Sequence, residues 1–168
     1  GLGELNGGRV NNGSAINADD ITINGVGLGG IATGANRAIL IETEINSKSG
    51  ISGVTASAYN VVEGVGGQTG VSSGLQVNGV TLGSTGSMKD LVDTINRDVP
   101  GVVASVGNNG SLVLSNDTGA DIVIGANGSQ VGLPNTDTFR GFIALTSADQ
   151  TAVEVSTGTA ATSTASQV

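Results

Sequence analysis

An α+β fold, predominantly β, with two repeated hairpin-helix-strand units and additional β-hairpins, follows from three features of the sequence. The 168 residues include 29 Gly but only one Tyr, two Phe and no Trp, so frequent turns must punctuate a core of Val, Ile, Leu and Ala. The stretches ITINGVGLG (residues 21–29) and LQVNGVTLG (75–83) set Asn-Gly between short alternating apolar runs, which is the strongest local hairpin signal. Each is followed by apolar residues at helical spacing and then by a strand-like run, so one unit occurs twice.

In the first hairpin Ile21 and Ile23 precede the turn and Val26 and Leu28 follow it. Asn24-Gly25 supplies the two positive-φ positions of a type I′ turn. Ala38, Ile41 and Ile45 then predict a helix over about 35–48, with Gly50 as its C-terminal stop. GVTASA (53–58) reads as a strand, and EGVGGQTGVSSG (63–74) as a loop or hinge. The second hairpin places Leu75, Val77, Val80 and Leu82 around Asn78-Gly79.

Ser87 stands as an N-cap three residues before Asp90, and Met88, Leu91, Val92 and Ile95 form one apolar stripe. A helix over about 87–98 is predicted, ending before Pro100. Each helix carries the same pair near its end, Ile45-Asn46 and Ile95-Asn96, and the second is followed by the related strand GVVASV (101–106). A turn at Asn108–Gly110 leads into alternating Leu112/Leu114 and Ile122/Ile124, read as a strand pair closing a small sheet against the helix. Two more strands are expected near 142–146 and 151–156, and residues 157–168 form a small polar tail. The expected organisation is one lobe of residues 1–64 with 127–168 enclosing a second of 65–126. The alternative is one fused domain, 1–168.

Composition excludes much chemistry. With no His and no Cys, there is no Ser-His-Asp triad, thiolate nucleophile, disulfide or His- or Cys-held metal. A net charge of −8 without a basic cluster argues against nucleic acid. No signal peptide and no run of eighteen apolar residues is found, so no membrane partner is expected. The carboxylate pairs Asp19/Asp20, Glu42/Glu44 and Asp117/Asp121 are formally compatible with a two-carboxylate hydrolase. Tyr59, Phe139 and Phe142 are too few for a sugar platform. Asp19-Asp20 lacks Ca²⁺-loop spacing, and GLGGIATG (27–34) lacks the phosphate-loop pattern. No catalytic, cofactor or metal residue is assigned. Asn12, Asn109, Asn116 and Asn127 begin Asn-x-Ser/Thr triplets, which turn formation explains without glycans, and Ser/Thr in 157–166 could carry O-linked sugars.

The ordered set of Asn-Gly hairpin, Ile-Asn helix and G-V-x-A-S strand resembles the flagellin hook IN motif, in two copies near 21–58 and 75–115. In the first copy no strand like GSLVLS directly follows GVTASA, so it either closes its own sheet or borrows strands from the C-terminal part. The resemblance implies a surface-exposed structural module of the bacterial flagellar filament, extracellular and non-catalytic. Its structural residues are Asn24, Gly25, Asn78, Gly79, Ser87, Ile45, Asn46, Ile95 and Asn96. The implied partners are other flagellin subunits, through helical domains absent from this chain, and host antibodies; the isolated segment should be monomeric. Variable domains of hook-associated or filament-cap proteins and surface adhesin modules are the competing readings.

Overall fold

The computed structural model describes residues 3–11 and 13–157; the first Asn-x-Ser triplet, at Asn12, and the tail after Thr157 lie outside them. In chain order the elements are β1 (Glu4–Arg9), β2 (Ile21–Ile23), β3 (Val26–Gly27), α1 (Arg37–Ser47), α2 (Ser49–Ser52), β4 (Val54–Glu63), β5 (Val71–Ser72), β6 (Gln76–Val77), β7 (Val80–Thr81), β8 (Thr85–Gly86), α3 (Met88–Asp98), β9 (Val103–Val106), β10 (Leu112–Asn116), β11 (Ile122–Ala126), a 3-10 turn (Gly128–Val131), β12 (Asp137–Phe139), β13 (Phe142–Ser147) and β14 (Val155–Thr157). Helices are few and strands many, so the α+β, mainly β class holds.

Two compact units emerge. Unit 1 comprises 1–59, 118–120 and 140–168, and unit 2 comprises 60–117 and 121–139. Residues 127–139, placed with the first lobe in the sequence reading, thus group with the second unit, where β12 pairs with β11.

In unit 1 the Val54–Tyr59 part of β4 pairs with β13, which pairs with β1, all antiparallel. A smaller sheet has the order β14-β2-β3. The first copy therefore takes its closing strands from the C-terminal part: β13 beside β4 and β14 beside β2. Ile21, Ile23, Leu28, Ala38, Ile41, Ile45, Val54, Ala58, Ile143 and Leu145 are among its core residues.

One buried side chain there runs against expectation. Arg37, in the first turn of α1, is fully buried, with its guanidinium donating to the carbonyls of Ser14 (2.7 Å) and Asn11 (3.4 Å). Burial, followed by the nearby Arg140 charge, pushes its pKa down. A cation at a helix N-terminus also opposes the helix dipole. The two carbonyls offset these costs in part, Nε having no hydrogen-bond partner among the described residues, and they tie the segment before β2 to the helix.

In unit 2 the Asn60–Glu63 part of β4 pairs with β10, and β10 with β9. A second sheet has the order β12-β11-β6-β7. The expected β10–β11 pair does not form: alternation told which side chains face inward but not which strands are neighbours. Leu75, Val77, Leu91, Ile95, Leu112, Leu114, Ile122, Ile124 and Val131 are among the buried core residues. The entry and exit of this unit meet where the buried Asn60 Nδ2 donates to the Phe139 carbonyl at 2.8 Å.

Within the stretch read as a loop, β5 pairs with β8. Gly70 there is needed for space: a Cβ on it would lie 2.3 Å from the Met88 backbone at the start of α3. Helix α3 agrees closely with its sequence signals. Ser87 Oγ accepts from the Asp90 N–H (3.1 Å), while Asp90 Oδ2 accepts from the Gly86 N–H (3.0 Å). Val99 is already extended, as the residue before Pro100 should be. Helix α1 departs at both ends. Its N-cap Asn36 is left-handed without a side-chain cap, and Gly50 is not its stop but lies inside α2. The left-handed residue that ends this helical segment is Gly53, at φ 71°.

Both Asn-Gly turns have the expected conformation: φ is 47° and 79° at Asn24-Gly25, and 49° and 81° at Asn78-Gly79. Nothing lies within 4 Å of a Cβ built on Gly79, so the penalty for Gly79→Val is backbone strain alone, about 1–2 kcal/mol. The fully buried Ile95 should matter more than the cap: Ile95→Ala should cost about 2–5 kcal/mol and Ser87→Ala about 0.5–2 kcal/mol. Chemical denaturation of the three variants checks the ranking. Equal midpoints for wild type and Ile95→Ala would count against it.

Candidate functional site: paired asparagine clasps

The arrangement that stands out is made by the Ile-Asn pairs. Successive helical residues point about 100° apart, so one can enter the core while the next reaches sideways. Ile45 and Ile95 are 1% and 0% exposed. Their asparagine neighbours reach the edges of the following strands.

In unit 2, Asn96 Oδ1 accepts from the Ala104 N–H (2.7 Å) and Asn96 Nδ2 donates to the Ala104 carbonyl (3.0 Å). In unit 1, Asn46 makes the same pair of bonds with Ala56, at 2.7 and 3.0 Å. The side-chain amide offers one acceptor and a donor in the plane of a peptide group, so it takes the place of a residue on a neighbouring strand. Ala56 and Ala104 both occupy the A of V-x-A-S. Both are buried, and a methyl side chain lets the helix lie close enough for the short Asn side chain to reach.

A second asparagine acts alike in each hairpin. The Asn78 N–H donates to the Val123 carbonyl and Asn78 Oδ1 accepts from the Val123 N–H, both 2.8 Å. Asn24 repeats this with Glu154, again at 2.8 Å for both bonds. Thus Asn24 and Asn78 not only permit the turn but anchor it to the strand alongside. The structure therefore places Asn24, Gly25, Asn46 and Ile45 in unit 1 and Asn78, Gly79, Ser87, Ile95 and Asn96 in unit 2, and it reproduces one hydrogen-bond scheme in both.

Sequence reasoning missed the strand partners Ala56, Ala104, Val123 and Glu154, and it read Glu42 only as half of a carboxylate pair. Glu42 Oε2 accepts from the Ala58 N–H, two residues beyond the Asn46 clasp. Glu44 Oε1 accepts from the Gly29 N–H at 2.6 Å. Both carboxylates of that pair are thus committed to backbone donors rather than to an open polar face. Asp20 Oδ2 accepts from the Asn17 N–H (2.9 Å) beside the exposed Asp19, as a turn carboxylate does. Among the described residues no group of three or more acidic side chains is placed to hold a metal ion. The arrangement holds strands.

Removing Asn96 strips a hydrogen-bond donor and an acceptor from the edge of β9. Asn96→Ala should destabilise the chain by about 1–3 kcal/mol. Asn96→Asp keeps the acceptor but aims a carboxylate at the Ala104 carbonyl, so it should not restore stability at neutral pH. Glu42→Ala should likewise cost about 1–3 kcal/mol, because the donor belongs to the buried Ala58. Urea unfolding curves check all three, and a wild-type midpoint for Asn96→Ala would show that the clasp carries no stability.

The model of the flagellin hook IN motif matches residues 71–118. That span takes in the second Asn-Gly hairpin, α3, β9 and β10, with Asn78, Ser87, Ile95 and Asn96 among its residues; the first copy lies outside it. No curated protein matches the chain. The hairpin, the Ile-Asn helix and the clasped strand of residues 71–118 are thus the part of the chain that is similar to the flagellin hook IN motif.

Proposed function

We propose that this chain is the surface-exposed variable domain of a flagellin and forms the outer face of the bacterial flagellar filament in motility. The observation that carries the reading is the hook IN motif at residues 71–118. The repetition of its asparagine clasp in unit 1 supports it. The role is structural and non-catalytic: the chain has no His or Cys, and Glu42 and Glu44 are engaged by backbone N–H groups. In this reading the domain is extracellular, its subunit partners are other flagellins, and its exposed face is what antibodies meet.

Antibodies raised against the 168-residue segment should label intact filaments along their whole length. Labelling confined to the hook junction or the filament tip would instead favour a hook-associated or cap protein. Asp19→Ala and Asp20→Ala in the full-length protein should leave filament assembly and swimming unchanged. Loss of swimming by either variant, with the protein folded and exported, would overturn the non-catalytic reading.

A further inference from the structure

Six Asn-Gly pairs occur in the chain, beginning at Asn6, Asn12, Asn24, Asn78, Asn109 and Asn127. In such a pair the glycine nitrogen can attack the asparagine side-chain carbon, because no side chain on glycine hinders the approach. The reaction requires the side-chain amide to be free to turn towards that nitrogen.

The described pairs differ sharply in this freedom. Asn24 is held at both ends of its amide, accepting from the Glu154 N–H and donating to the Ser52 carbonyl (3.2 Å). Asn78 is held through Oδ1 by the Val123 N–H. Asn127 Nδ2 donates to the carbonyls of Ser73 (3.1 Å) and Gly74 (3.2 Å). All three also have left-handed backbones, with φ of 47°, 49° and 59°. Asn6 stands in the paired strand β1, opposite Ala144, immediately before the register of that pairing shifts, so the pairing holds Asn6 itself but not the glycine after it. Asn109 differs: it is exposed, its side chain makes no hydrogen bond to the described residues, and its φ is not positive. The Gly110 N–H is held only across one short turn, by the Gly107 carbonyl at 3.0 Å.

We propose that Asn109 is a site of spontaneous succinimide formation and deamidation in the folded domain, faster there than at the turn asparagines Asn24, Asn78 and Asn127. The Gly110 nitrogen loses its proton and bonds to Asn109 Cγ; the Cγ–Nδ2 bond breaks, and ammonia leaves with that proton. Water then opens the ring at either carbonyl, giving aspartate or isoaspartate, with no oxidant or reductant involved. The turn between β9 and β10 gains a negative charge with age, and in the isoaspartate form an extra backbone carbon.

The test is incubation of the folded chain at mildly alkaline pH, followed by digestion and tandem mass spectrometry to locate each converted residue. Asn109 should convert at least several-fold faster than Asn24, Asn78 and Asn127, and the four rates should converge in denaturant. Asn109→Gln should abolish the early acidic species while leaving the fold intact. Conversion of Asn109 no faster than that of Asn78 in the folded chain would overturn the proposal, as would rates that remain unequal in denaturant.

Discussion

The structure depends on a strand edge being closed by a side chain. A β-strand at the margin of a sheet leaves alternate N–H and carbonyl groups facing outward, where they lose hydrogen bonds or recruit another strand. Here a helical asparagine takes both groups of one residue, Ala56 in one unit and Ala104 in the other. Because the amide comes from a helix, pairing stops at one residue and no further strand can be added at that point. The open edges of β4 at Ala56 and of β9 at Ala104 are therefore closed by a specific polar contact rather than by an added strand.

The rest of each unit serves that contact. The isoleucine before each asparagine fixes the helix rotation by entering the core, the alanine opposite permits the approach, and the hairpin asparagine pins the ribbon to the strand alongside. In unit 1 Glu42 extends the closure to Ala58; the position one turn before Asn96 is Val92, which packs on the unit 2 core instead. The two units thus share a scheme and differ in how much of the edge is covered. This design suits a chain with so few aromatic residues, since aliphatic packing is non-directional and does not itself fix the angle between helix and sheet.

Much of this was legible in the residues. Asn24-Gly25 and Asn78-Gly79 demanded left-handed turns, and Ser87, Asp90 and Pro100 bounded α3, because each signal acts over a few residues. What was not legible depends on pairings between distant segments. Gly-rich 63–74 hid β5, and Gly70 just before it makes room for the start of α3 rather than giving freedom to a hinge. Gly50 suited a helix stop by its residue type, but the backbone path carries the helical segment past it to Gly53. The asparagines of the Ile-Asn pairs were visible as a repeat, but their acceptors were not, since a polar residue at a helix boundary looks the same whether it faces water or a strand edge.

The bond from Asn60 to the Phe139 carbonyl bears on how the chain comes to fold. Strand partners in unit 1 are far apart along the chain, with Thr55 beside Thr146 at a separation of 91 residues and Asn24 beside Glu154 at 130. The hairpin anchor of unit 2 spans only 45 residues. Contacts of short separation form sooner, since less chain entropy is lost before they are made. As the chain emerges from its N-terminus, unit 2 has all its strands available while unit 1 still waits for β13 and β14. Once unit 2 is formed, Asn60 and Phe139 stand together, and the long excursion between β4 and β13 shrinks to the width of one hydrogen bond. The inner unit thereby closes most of the loop for the outer one, and the order of assembly runs from the inside outward.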